Sequence, residues 1–481
     1  MAQTDSTPPK PFRVIVVGGG IVGLSLSHAF QLANIDHVVL EKYDKIISVK
    51  GAALLIWPSV SRIFDQFGFL DKIHKTTTPI MKEYHRWPDG SLHSKRNSLV
   101  RVSEIFDLPS ILFDRQTLVT HLYENLQDKS RIHTSRRVDR IEHTESSVRV
   151  FLSDGSVEEG DMVIGADGVH SAVRQQMWGY ASQDEPETIP ESDKTAMFTE
   201  FGGLFGVSEL KDSFGLSPAD AHVIYGHGDT KLLFTQPGVA YWAIMFKEEL
   251  SRPPQRRKAS EEDIEAMAKH FANTPFTENL KFSALWETRS RYGLLNIEEG
   301  ILSKWHAGRI VLVGDSAQKM TADLGIGANI AIESAVSLCN ILHREIKSDP
   351  NRHPSKSELS AWFNEYQEDR FNRTKEFVDL SGKVTRMNSY QTLFGRYFLT
   401  YVAQYLSEIQ LWKFAESFAV APKLNYAPVR TINEDTVGWR LAKKKGDKAS
   451  VRWLTYVLVT STVSVTIAIV ARNFLYSSKK L

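Results

Sequence analysis

Two hydrophobic periods follow each other near the start of the chain. Val14 to Val17 is an unbroken β-branched run, the pattern of a strand buried on both faces. Leu24, Leu26, Ala29, Phe30 and Leu32 then recur at near-helical spacing, and His37 to Leu40 turns apolar again, so strand, helix, strand is predicted. Two later apolar runs also end in small-residue turns: Asp161 to Ile164 before Gly165-Ala166-Asp167-Gly168, and Ile310 to Val313 before Gly314-Asp315. Between these two, "AMFTEFGGLFGVS", "AHVIYGHGDTKLLFTQPGVAYWAIMFKEE" and "FSALWETRSRYG" alternate apolar and polar residues around Gly-His-Gly-Asp and Pro-Gly turns, which predicts antiparallel strands. The stretch from about Pro79 to Leu112 is expected to join that sheet.

The fold class expected is α/β. A Rossmann-type nucleotide domain with a parallel sheet is interleaved with a mostly antiparallel β-sheet substrate domain, followed by C-terminal helices and one transmembrane helix. The expected divisions are 11–78, 113–182 and 293–347 for the nucleotide domain and 79–112 and 183–292 for the sheet. Residues 355–420 form a helical region, 421–450 a linker and 453–471 the membrane anchor. The anchor rests on "WLTYVLVTSTVSVTIAIVA", Trp453 to Ala471, an uncharged stretch of minimal spanning length between "KKKGDK" and "SSKK". Its β-branched content would also suit a buried strand pair. The heavier basic cluster on its N-terminal side predicts a single pass with the large domain in the cytoplasm, the endoplasmic reticulum being the default membrane. "LFGRYFLTYVAQYLSEIQLWKFAESFAV", Leu393 to Val420, is either a membrane-surface helix or one packed on the main body.

Composition narrows the function classes. Lys+Arg 58 against Asp+Glu 57 gives a net charge of +1, so no global field favours nucleic acid. The single cysteine, Cys339, excludes an intrachain disulfide and lies in an apolar helical run, where a buried structural thiol is expected. The polar leader "MAQTDSTPPKP" carries no secretory signal. No H-E-x-x-H, C-x-x-C or G-x-S-x-G occurs, so neither a metal nor a serine nucleophile is expected.

Gly18-Gly19-Gly20-Ile21-Val22-Gly23 supplies a G-x-G-x-x-G between the first strand and helix. Gly18 permits the tight turn, Gly20 lets the backbone approach a pyrophosphate, and Gly23 lets helix and strand pack closely. The helix N-terminus offers N–H groups and the positive end of a dipole. Glu41, closing the second strand, is placed to bind an unphosphorylated ribose, which favours FAD or NAD(H) over NADP(H). In the second turn, Asp167 and Arg174 either tie the loop together or reach the ligand. In the third, Asp315 is placed to accept from a ribityl chain. Leu324-Gly325-Ile326-Gly327-Ala328-Asn329 enters a helix whose N–H groups suit an electron-rich ring.

Together these three ordered motifs resemble the fingerprints of single-component FAD-dependent monooxygenases with the para-hydroxybenzoate hydroxylase fold. "GAALLIWPSVSRIFDQFGFLDKI", "FDRQTL" and the C-terminal hydrophobic segment resemble fungal members from meroterpenoid and indole-diterpene biosynthesis. The resemblance covers the chain to about Arg373. It implies FAD as cofactor, NAD(P)H as cosubstrate and O2 as oxidant. By position it implies that Glu41 is the ribose ligand, that Gly51 and Ala52 approach the flavin, and that Arg115 contacts the cofactor from a helix start. A surface ion pair between Arg115 and Asp114 is the plain alternative. Asp315, Gly327 and Ala328 correspond to flavin contacts of the third motif. Where relatives read G-D-A-A-H, then proline, then G-Q-G, this chain has Ser316, Gln318, Ala322 and Ile326. No second G-x-G-x-x-G serves the nicotinamide, which in this fold visits without its own domain.

The activity implied is epoxidation of a prenyl chain on a hydrophobic small molecule, acting with a membrane terpene cyclase as partner. The alternatives are an aromatic-ring hydroxylase and a non-catalytic prenyl-binding escort module. Tyr225 is the candidate catalytic group, through positioning or proton donation, with Tyr241 the second tyrosine of interest.

Overall fold

The apolar run at the start of the chain forms the centre of a sheet because its side chains have nowhere to go but into protein on both faces. In a computed structural model that describes residues 10–47, 53–253 and 259–443, strand Arg13–Val17 pairs in parallel with Met162–Gly165 on one side and Asp36–Leu40 on the other. The six-stranded order is His306–Ala307, Ile310–Leu312, Met162–Gly165, Arg13–Val17, Asp36–Leu40, Ile132–His133. Val17 stands opposite Gly165, and Gly165 opposite Leu312. Three turns separated by nearly 300 positions of sequence thus open side by side at the carboxyl edge of one sheet, where doubly wound folds bind ligands.

A second sheet of eight strands runs Gln318–Lys319, Arg289–Ile301, Phe198–Glu209, Val239–Ser251, Asp229–Gln236, Asp220–Tyr225, Lys82–Arg86, Leu92–Arg96. All of its pairings are antiparallel except that of Asp220–Tyr225 with Lys82–Arg86. Side chains on a strand alternate between faces. Leu204, Ile224, Leu233, Trp242 and Ile244 bury one face under helices Glu261–Phe271 and Phe282–Glu287. Val207, Ala221 and Tyr241 pack from the other face against Leu55, Ile80 and Leu112 of the nucleotide-domain side.

Two expectations need correcting. "FSALWETRSRYG" is not one strand: Phe282–Glu287 is a short helix, and the strand begins at Arg289. Phe282 and Leu285, three apart, both bury, and Phe282 meets Trp242 edge-on at 5.0 Å, so helical spacing prevails over alternation there. The transmembrane helix in the expected fold class, and the single-pass membrane localisation built on it, are also corrected. No helix among the described residues is long and apolar enough to cross a membrane. The two longest, Gly327–Ile346 and Lys356–Asn388, carry charges such as Glu333, Arg344, Arg370 and Arg373 within their length. The stretch 453–471 that motivated the anchor lies outside the described residues.

Helices Leu393–Tyr401 and Ala403–Ala419 pack on the main body. Phe398, Leu399 and Val402 cover Tyr225, and Phe418 stacks on Trp57 at 4.9 Å. Cys339 is fully buried.

Several histidines are buried as neutral rings. Burial draws His28 and His306 from 6.5 to about 4 and His222 to about 3. Each unfolded histidine binds a proton that its folded counterpart refuses, so stability is lost as pH falls through this window and is unaffected above it. The loss approaches about 3 kcal/mol each for His28 and His306 and about 5 kcal/mol for His222 at the acid end. Denaturant midpoints should therefore drop steeply as pH is lowered from the ordinary histidine range toward 4. A flat profile there would mean that these rings are protonated in the native state.

Candidate active site

The first turn is shaped by backbone proximity. Gly18 has φ +112°, its N–H donates to the Leu40 carbonyl at 2.8 Å, and a Cβ there would sit 2.4 Å from the Ala166 oxygen. At Gly23 a Cβ would stand 1.8 Å from the Gly18 oxygen, so the helix Ile21–Ala33 presses directly on the turn. Gly20 differs: the nearest atom to a Cβ there is Arg115 Nη2 at 3.6 Å. Space in front of Gly20 is therefore open, with a guanidinium at its rim, which is what a pyrophosphate requires.

Glu41 accepts from the Gly19 N–H at 2.7 Å and the Tyr43 N–H at 3.0 Å, one bond to each oxygen. A carboxylate oxygen has two lone pairs, so Glu41 can hold the turn and still receive a ribose hydroxyl. Arg115 opens helix Arg115–Glu124, and burial draws its pKa below the ordinary value against the pull of the Asp315 and Glu41 carboxylates. The alternative pairing is not formed: Asp114 caps its own helix through the Thr117 N–H at 2.8 Å and pairs with Arg291 at 2.6 Å. That leaves the Arg115 guanidinium between the first and third turns. Exchanging Arg115 for methionine should weaken FAD binding roughly 10- to 100-fold, the loss of one charge-assisted contact. Titration of flavin-stripped protein with FAD would measure it, and an unchanged Kd would place the pyrophosphate elsewhere.

Asp167 is a structural cap. It accepts from the Ser171 hydroxyl at 2.5 Å and from the N–H groups of Ala172 and Val173 at 2.6 and 3.1 Å, fixing the start of helix Ala172–Asp184. Arg174 ties the second turn to the third, donating to the Val169 and Ser316 carbonyls at 2.6 and 2.9 Å. The Ser316 hydroxyl donates to the Gly165 carbonyl at 2.5 Å. The serine thus adds a second link between the same two turns.

Asp315 lies in the short helical turn Gly314–Ser316 and pairs with Lys319. Burial penalises the Lys319 charge, but Asp315 outweighs it and raises its pKa. Ile326 fills the core at 1 % exposure. Helix Gly327–Ile346 starts there without a side-chain cap and without an acid in its first turn, leaving the N–H groups of Gly327 and Ala328 facing any electron-rich ligand. Gly51 and Ala52 lie outside the described residues.

Asn329, which the motif reading passed over, is fully buried. Its Oδ1 accepts from the Trp57 N–H at 2.9 Å, and its Nδ2 donates to the Leu55 and Gly325 carbonyls at 2.8 and 3.1 Å. It clamps strand Ala53–Ile56 to the third motif.

On the sheet, Tyr225 is 1 % exposed, and burial pushes its phenol up to about 12. Its Oη lies 2.7 Å from His85 Nδ1, and His85 Nε2 lies 3.2 Å from Glu83 Oε1. Burial lowers His85 to about 4, so the ring is neutral. The ring therefore donates from Nε2 to Glu83 and accepts at Nδ1 from Tyr225. Neither Glu83 nor His85 carries a sequence signal: the two are neighbours on one strand, and the contact of His85 with Tyr225 is made across strands. Tyr241 packs in the apolar cluster with Leu55, also pushed up to about 12 by burial. Thr230, directly opposite Tyr225, reaches the half-buried Asp323 at 3.5 Å, and Asn388 donates to the same carboxylate at 2.8 Å. The sheet is thereby joined to the loop between Asp315 and Gly327.

The geometry fits a flavin dinucleotide, with an open glycine turn, a rim cation, a ribose acceptor and an uncapped helix at one sheet edge. Comparison with known proteins agrees. Residues 12–358 match the family model described as FAD binding domain. The chain is 35% identical over 436 residues to the FAD-dependent monooxygenase ausM of Penicillium brasilianum, covering 89% of this chain and 90% of that protein. It is 33% identical over 469 residues to spyC of Aspergillus fumigatus, an FAD-dependent monooxygenase, covering 95% and 96%. Among solved structures, Klebsiella pneumoniae HpxO complexed with FAD and uric acid superposes with a TM-score of 0.65 at 20% identity, over 85% of this chain and 97% of that one, a likeness of fold.

Proposed function

The chain belongs to the FAD-binding-domain family, among its FAD-dependent monooxygenases, and from that premise we propose that it uses NAD(P)H and O2 to epoxidise the prenyl chain of a meroterpenoid or related terpenoid in secondary metabolism. Bound FAD would supply the redox chemistry, coupling oxidation of the nicotinamide to reduction of O2, with one oxygen atom entering the substrate and the other leaving as water. The remaining tasks fall to the chain. Gly18, Gly20, Gly23, Glu41 and Arg115 hold the dinucleotide, and Asp315 with the Gly327–Ala328 helix start orients its ring end.

The observation that carries the prenyl reading is the sheet face turned to these loops. Val223, Leu232, Ala243, Phe205 and Gly293 form one continuous cross-strand row on the same face as Tyr225 and Tyr241. An apolar row ending at Gly293, with Leu232 buried and its other members half-buried, suits an isoprenoid chain better than a compact polar ring. Tyr225, held as a donor to His85, positions what lies beside it.

Incubating the purified protein with NADPH, O2 and a farnesylated aromatic compound tests the reading. Epoxide on the prenyl chain, with NADPH consumption that the unprenylated arene does not stimulate, is expected. Oxygen inserted into the ring, or equal stimulation by the bare phenol, would replace it with aromatic-ring hydroxylation.

A further inference from the structure

A polar island interrupts the apolar face just described. Arg96 stands directly across from Glu83 on the outermost strand pair, in the same cross-strand row as Ala221. Its Nε and Nη2 are shielded from solvent and have no hydrogen-bond partner. Glu83 accepts from His85 Nε2 at 3.2 Å and from the Leu99 N–H at 3.4 Å, and no hydrogen bond joins it to these two Arg96 nitrogens. The Tyr390 hydroxyl, whose ring lies 5.9 Å from that of Tyr225, is likewise buried without a partner. Tyr390 adopts φ +49°, a strained conformation for a bulky side chain, at the end of helix Lys356–Asn388. Buried donors left unpaired are costly, and native structures retain few of them without a purpose.

The unsatisfied groups share one character, since Arg96 offers only N–H donors and Tyr390 a hydroxyl. Tyr225 Oη has its proton committed to His85 and only lone pairs to offer. The island lies between two apolar clusters that both reach the cofactor loops. One includes Leu55, whose carbonyl Asn329 holds, and the other includes Met387 and Tyr390, which flank the Asn388 that holds Asp323.

We propose that Arg96 and Tyr390 form a head-group subsite for a planar oxyanion, a carboxylate or an enolate, carried by the substrate whose hydrocarbon chain runs along the neighbouring face. The inference rests on the monooxygenase reading of this site and adds the charge of its substrate. A guanidinium with two adjacent free N–H directions matches the two oxygens of such a group, which a lysine in its place would not do. The neutral His85 beside it adds no competing anion, and Glu83, which faces Arg96 across the strand pair, makes no hydrogen bond to its Nε or Nη2. Anchoring one end of a long flexible chain in this way fixes which part of it lies over the cofactor loops.

The test is calorimetric binding of a farnesylated benzoate and of its methyl ester to FAD-loaded protein, with flavin content and circular dichroism recorded for each variant. The wild type is expected to bind the acid roughly 10-fold or more tighter than the ester, the worth of a charge-assisted pair. Arg96→Gln should remove that preference, and Arg96→Lys should retain part of it. If Arg96→Gln does not fold, Tyr390→Phe, which deletes one hydroxyl, should still narrow the preference. Equal binding of acid and ester by the wild type, binding of neither, or a preference that survives Arg96→Gln overturns the subsite. Product analysis separates this from the reaction itself: an acid bound preferentially but oxidised on its ring leaves the subsite standing and removes the epoxidase reading.

Discussion

Gly23→Ala will yield a protein that does not retain FAD. The added methyl would begin 1.8 Å from the Gly18 oxygen, and Gly18 cannot withdraw because its own N–H is bonded to Leu40 and its far side abuts Ala166. The helix start must therefore move away from the turn by more than an ångström. Overpacking of this kind costs about 1–3 kcal/mol in stability. The larger effect falls on the ligand, whose pyrophosphate must meet the turn and the helix N–H groups together, so a loss of about 100-fold or more in FAD affinity is expected. Gly20→Ala separates the two causes. Its methyl meets nothing closer than Arg115 Nη2 at 3.6 Å, so the protein should fold with unchanged stability yet still lose FAD, because the methyl occupies the space through which the phosphates approach. Flavin absorbance of the purified variants and denaturation of the flavin-free forms give both quantities. A Gly20→Ala protein that keeps a full complement of FAD would move the pyrophosphate off this turn.

These glycines were legible because their constraint is local: strand, turn and helix follow one another within a dozen residues, and period and spacing report them. Asp315 and the Gly327–Ala328 helix start were legible for the same reason. What escaped is made across distant segments. Nothing around Asn329 announces that its amide spans to Leu55 and Trp57, and nothing in "KEYHR" marks Glu83 and His85 as partners of Tyr225 some 140 positions later. For Asp167 the sequence left two roles open, tying the turn or reaching the ligand, and the structure shows the first: it accepts from Ser171 and Ala172 at the start of the helix that follows. The transmembrane expectation came from the uncharged run 453–471 and the basic residues flanking it, not from any described helix. Among the described helices, length always comes with charge, as Glu333 in the middle of an otherwise apolar stretch illustrates.

That residue carries the largest stability effect expected outside the cofactor turn. Glu333 is 1 % exposed on the helix that begins at Gly327. It accepts from Arg370 Nη2 at 3.0 Å, Arg373 Nε at 2.9 Å and Arg373 Nη2 at 3.1 Å, both arginines lying on helix Lys356–Asn388. Burial alone would raise the carboxyl, but the charges of Arg373 and Arg370 outweigh it and hold its pKa below the ordinary value. The pair contribution is thus present above the usual carboxylate range and is lost as pH falls below it. Glu333→Ala removes the only carboxylate among the described residues bonded to Arg370 and leaves that guanidinium buried at 2 % exposure, an imbalance worth about 3–5 kcal/mol. A fall of that size in denaturation free energy is expected, together with weaker FAD binding, because the same helix carries the uncapped start proposed above to orient the flavin. Replacing Glu333, Arg370 and Arg373 together by apolar residues of similar volume should recover most of the stability, since the cost lies in the unpaired charge more than in the lost pair. If the triple variant is as unstable as Glu333→Ala, the triad acts through helix geometry, and FAD affinity should then stay low in both.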